Sequence, residues 1–177
     1  MVPKYMKPSF LLRNFPGRES LRSLAVKYPQ LDLSAQECFL ALLGVTGEIM
    51  AAVEVQMSRR RTSQGRFRIL MELESAPEKV LAAGRLAQAV RVTPATITGL
   101  LDGLQRDGQI LRERCPKDRR AVRVKLTRRG ERFLAELLPE RLRRTSRLMA
   151  KLSETDRRDL VRLLEAVSGG LEEFSRS

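Results

Sequence analysis

Apolar residues along most of the chain recur every three to four positions, the spacing of one helix face. Leu21, Leu24, Ala25 and Tyr28 predict a short helix near 18–28, ended by Pro29. Before it, Pro3, Pro8 and Pro16 punctuate a stretch without periodicity, which reads as an arm. Ser34, followed three residues later by Glu37, has the form of a capping box opening a long helix. Phe39, Leu42, Leu43, Ile49, Met50, Val53 and Met57 fall on one broad face of that helix. The polar run 58–61 interrupts it. A second helix starts near Ser63, turns Phe67, Leu70, Met71 and Leu73 inward, and ends before Pro77.

The middle of the chain predicts two short helices and a hairpin. Leu81, Leu86, Ala87 and Val90 mark the first helix. Thr93 caps the second, Pro94 takes its first position, Ile97, Leu100, Leu101 and Leu104 form its buried stripe, and Gly108 stands just past its end. The period then drops to two. Strands are expected over 111–116 and 121–126, joined by the charged tip Pro116, Lys117, Asp118, Arg119 and Arg120. Thr127 caps a long helical stretch that passes Phe133, Leu134 and Leu138, meets a kinking Pro139, and continues to Leu152. Ser153 with Asp156 caps a last helix whose face carries Leu160, Leu163, Leu164, Val167 and Leu171.

The fold expected from these elements is mostly α with a small β-hairpin wing. It is a winged helix-turn-helix embedded in a helical dimerisation domain. Residues 1–33 form a basic arm with a short helix. Segments 34–76 and 131–177 form the dimerisation region, and 77–130 the DNA-binding module. Helices flanking the module carry more apolar surface than one small subunit needs, which suits a homodimer.

Charge sharpens this picture. The 177 residues carry +13 net, and segment 77–130 alone carries 13 basic against 5 acidic residues. Such a concentration is an electrostatic footprint for phosphates, so double-stranded DNA is the expected partner. There is no histidine, which excludes Ser-His-Asp and Cys-His catalysis, His-ligated zinc and a histidine pH switch. Carboxylates do not cluster. No enzyme, cofactor or metal site is therefore expected. Two cysteines, Cys38 and Cys115, fit a reducing cytoplasm and not a disulfide scaffold. The most apolar stretch, 38–55, carries Glu48 and Glu54 and is not read as spanning a membrane.

A short helix with an apolar back and a small polar front can enter the major groove, and an arginine-tipped hairpin can reach the minor groove. Opposite Ile97, Leu101 and Leu104 the second helix places Ala95, Gly99, Asp102 and Arg106, flanked by Thr96 and Thr98. Lys117, Arg119 and Arg128 add candidate phosphate contacts around the wing.

The segments RFRILMEL (66–73), LAQAVRVTPATITGLLDGLQRDGQILRE (86–113) and PKDRRAVRVKLTRRG (116–130) resemble the multiple-antibiotic-resistance regulator (MarR) family of bacterial transcription factors. The resemblance implies a winged-helix homodimer on pseudo-palindromic operators. It implies a repressor in the bacterial cytoplasm, associated with the nucleoid and modulated by a small molecule or an oxidant. By position it puts Thr93, Thr96 and Thr98 on the recognition helix, Arg120 at the minor-groove arginine, and Asp118 at the acid that holds it. Four features depart from the family pattern: Arg91 replaces a turn glycine, Ala82 a capping hydroxyl, Gly99 and Gly103 frequent arginines, and the arm 1–33 has no counterpart in it.

The resemblance also implies an effector pocket, for which Met50, Val53, Met57, Arg66, Phe67 and Met71 are candidates, with the arginine suited to an aromatic acid or a phenol. Cys38 is read as a buried structural cysteine, with thiol-based oxidant sensing as the alternative function. A second alternative is a non-specific architectural DNA-binding protein.

Overall fold

The computed structural model describes residues 18–114 and 122–176. The chain divides into two compact units, 1–69 and 70–177.

In the first unit, α1 (Arg18–Lys27) packs against α2 (Leu33–Arg59), burying Leu21. The cap of α2 differs from the expected one. Asp32 is the N-cap, its carboxylate accepting from the Ala35 N–H at 3.0 Å, while Ser34 lies inside the first turn and donates to Asp32 Oδ1 at 2.8 Å. An aspartate two residues upstream outcompetes the serine because a charged acceptor binds the free N–H groups more strongly. Those hydrogen bonds, the Ala35 backbone first, hold the Asp32 carboxyl below its ordinary range. At the other end Arg61 adopts a left-handed conformation (φ 53°), and α3 (Gln64–Ser75) follows after Ser63.

Much of the apolar face of α2 is exposed, including Phe39, Leu43, Val45, Met50 and Val55. By length and composition α2 is apolar enough to cross a membrane. Glu48 and Glu54 lie within this 27-residue helix, and a helix of a soluble protein can have the same length and composition.

The second unit holds the module. A single turn of 3₁₀ helix (Pro77–Lys79) leads into β1 (Val80–Ala82), α4 (Ala83–Val90), α5 (Pro94–Arg106), β2 (Ile110–Arg114) and β3 (Val122–Leu126). The strands form one antiparallel sheet in the order β1-β3-β2. Leu81 therefore lies on a strand opposite Val124, and not on the first helix of the pair as the periodicity suggested. Three residues are too few to show alternation, so this strand has no sequence signature of its own. Strand β2 starts at Ile110, one residue earlier than expected, and this shifts which side chains face inward. Ile110 is fully buried and pairs with Leu126, while Leu111 is half-exposed.

Helix α6 (Arg128–Leu148) runs through Pro139 and stops at Leu148, short of the expected Leu152. Its cap, Thr127, does two things at once. The hydroxyl accepts from the Gly130 N–H at 3.1 Å and donates to the Gly108 carbonyl at 2.8 Å, tying the end of α5 to the start of α6. Helix α7 (Glu154–Gly169) opens with the expected capping box between Ser153 and Asp156, whose carboxyl the Ser153 hydroxyl and then the Ser153 N–H hold low. Gly170 separates it from α8 (Leu171–Ser175), so Leu171 belongs to a different helix from Leu160. No residue of α7 is buried: Leu160, Leu163, Leu164 and Val167 all face outward.

Candidate nucleic-acid interface

The module's second helix, α5, has two distinct faces. Ile97, Leu101 and Leu104 are buried against α4 and β2, and Gly103 lies between them. Thr93, Ala95, Thr96, Thr98, Gly99, Asp102 and Arg106 are all exposed, as the helical wheel predicted. The local chemistry that builds this face is visible at its start. Thr93 Oγ1 accepts from the Thr96 N–H at 3.2 Å and lies 2.9 Å from Thr96 Oγ1, and Pro94 occupies the first helical position. Thr98 donates its hydroxyl to the Pro94 carbonyl at 3.0 Å. With its proton committed there, Thr98 can offer a base edge only lone pairs or its methyl group. Those suit an amino group of adenine or cytosine, or the thymine methyl.

The turn between α4 and α5 carries Arg91 in the left-handed region at φ 54°, ψ 54°. The turn keeps the geometry a glycine would serve, and Arg91 adopts it with an exposed side chain. Ala82, at the N-cap of α4, makes no side-chain hydrogen bond, as its missing hydroxyl implies.

At the far end of the exposed face, Asp102 pairs with Arg112 of β2, whose Nε donates to Gln105 Oε1 at 2.6 Å. Neither Arg112 nor Gln105 was singled out from the sequence. One signal was available: Arg112 occupies the strand face that Ile110 opens, opposite Val124, where a charge needs a partner. Arg106, one turn beyond Asp102, has no partner among the described residues. Arg128 is exposed at the start of α6, and Arg123 and Lys125 are exposed on β3. The tip residues Lys117, Asp118, Arg119 and Arg120, and also Cys115, lie outside the described residues.

The candidate effector residues do not share one environment. Met57 and Phe67 are buried, Met50 is exposed, Val53 and Arg66 are half-buried, and Met71 falls in the other unit. A solvent-open concavity lies between α4 and α5, lined by Ala87, Arg91, Val92, Pro94, Ile97 and neighbours. Cys38 is exposed and not buried as expected, because it sits on the outward face of α2. No group of three or more metal-binding side chains occurs among the described residues.

A sequence profile of the MarR family matches residues 62–122. The transcriptional repressor YetL of Bacillus subtilis, an HTH-type protein, is 33% identical over 153 residues, covering 86% of this chain and 92% of YetL. The chain belongs to the MarR family. It is a DNA-binding transcriptional regulator and not an enzyme. The repressor MprA of Escherichia coli is a more distant relative, 27% identical over 62% of either chain. Among solved structures, the MarR-family regulator Sco3205 of Streptomyces coelicolor, in complex with DNA, superposes with a TM-score of 0.74 at 20% identity, covering 80% of this chain and 89% of that one. That likeness shows the fold: in this MarR-family chain α4, α5 and the three strands form the winged helix.

Proposed function

We propose that this MarR-family regulator is a homodimeric repressor of pseudo-palindromic operators in the bacterial cytoplasm, on the nucleoid, with a small molecule modulating its binding. Helix α5 enters the major groove through Thr93, Ala95, Thr96, Thr98 and Gly99, and the hairpin tip brings Arg120, oriented by Asp118, to the minor groove. Lys117, Arg119 and Arg128 hold phosphates. The observation that carries this reading is the two-faced α5: one side locked in the core, the other mostly small or polar and exposed. The exposed apolar side chains of α2 and α7 support the dimer, since a single chain leaves them in water. The repressor assignment follows the names of the relatives.

Competition between an enriched duplex and bulk DNA tests the reading. For Thr96→Ala and Thr98→Ala the preference for the enriched duplex should fall while bulk affinity holds. Equal loss on both DNAs would favour a non-specific architectural protein.

A further inference from the structure

Asp102 stands where a DNA-binding face should least tolerate it, on the exposed side of α5. Two arginines are positioned to neutralise it. Arg106 lies four residues on along the same helix, the spacing at which an acid followed by a base pairs well. Arg112 lies across on β2. The structure resolves the choice in favour of Arg112: its guanidinium pairs with Asp102 and donates through Nε to Gln105, while Arg106 has no partner among the described residues. Arg112 is the better partner because its fork engages two acceptors at once and its side chain is only 24% exposed, whereas Arg106 is exposed.

We propose that Arg112 is a positioning residue for DNA binding. It occupies Asp102, so that the carboxylate neither repels phosphate nor captures Arg106, and it fixes α5 to the wing strand. Arg106 is thereby left free as a phosphate contact. The inference rests on the DNA-binding reading of α5, and one set of measurements separates the two. The full-length chain first enriches a duplex from a random library; enrichment of nothing overturns the reading of α5 itself. Affinity for that duplex is then measured across salt for the wild type, Arg112→Met, Arg106→Ala and the double variant. Methionine keeps an apolar stem opposite Val124, so the strand pairing is preserved.

In the wild type, Arg106→Ala should flatten the salt slope by about 0.9, one phosphate contact. In the Arg112→Met background it should change nothing, because Asp102 has already taken Arg106. Adding Asp102→Asn to Arg112→Met should restore the Arg106 contribution and recover part of the affinity. If Arg106→Ala costs the same in both backgrounds, or if Asp102→Asn fails to recover the slope, the positioning role is wrong. A purely structural role for Arg112 would lower the melting temperature and leave the salt-slope cycle additive. Should Arg112→Met not fold, the same cycle with Arg112→Lys decides, since a single ammonium nitrogen does not reproduce the guanidinium fork that spans Asp102 and Gln105 and should free less of the Arg106 contribution than arginine does.

Discussion

Single residues explain several features that sequence comparison alone would record as letters. Gly130 ends the LTRRG run, and the structure gives the reason: a Cβ there would lie 2.4 Å from the Gln109 carbonyl oxygen and 2.6 Å from Leu126 Cδ1. The carbonyl is backbone and has no room to retreat. Gly130→Ala should therefore destabilise the chain by about 1–3 kcal/mol, the range for overpacking, read as a drop in the denaturation midpoint with unchanged denaturant sensitivity. An alanine variant as stable as the wild type would show that α6 and the wing are not packed this closely. Arg91 makes the opposite case. It holds a left-handed conformation that glycine adopts freely, so Arg91→Gly should stabilise by about 0.5–1 kcal/mol after glycine's extra unfolded-state entropy is counted. If Arg91 also touches phosphate, the same variant will bind DNA less tightly while melting higher.

At the scale of elements, α5 and the wing carry the account. Gly99 sits mid-helix on the exposed face with nothing within 4 Å of where a Cβ would be. Gly99→Ala should stabilise α5 by about 0.5–1 kcal/mol in the free protein. Weaker DNA binding from that variant, in spite of its greater stability, would show that α5 approaches the bases closely at this point; unchanged binding would place Gly99 outside the contact. For the wing, Arg120→Ala should cost about 1–3 kcal/mol of affinity for an enriched duplex. Asp118→Ala should also weaken binding, even though it removes a negative charge. Tighter binding by Asp118→Ala at two salt concentrations would mean that Asp118 only repels phosphate.

The elements were legible in the sequence to different degrees, for physical reasons. Helix α5 could be read almost completely, because its cap, its proline and its buried stripe are local signals that agree. The capping box of α7 was equally plain. Strand β1 was invisible, since its three residues owe their conformation to pairing with β3. The cap of α2 was misplaced because two capping residues, Asp32 and Ser34, compete within one turn. The pairing of Arg112 with Asp102 spans ten residues and two elements, and no periodicity connects them.

For the whole molecule, charge and exposed apolar surface point to two different partners. The basic excess of 77–130 is directed at DNA, and a net +8 there predicts strongly salt-dependent binding. In the proposed homodimer the apolar faces of α2 and α7, exposed in the single chain, meet a second copy, whose two-fold axis would impose symmetry on the DNA. The central claim is that this regulator reads an operator as a symmetric dimer through α5 and the wing. Enrichment of duplexes from a random library by the full-length chain tests it most directly. The account predicts an inverted repeat whose half-sites are separated by about one helical turn, roughly 10 base pairs centre to centre, or a multiple of it. A single unrepeated motif, or no motif at all from a chain that still retains DNA, would contradict it.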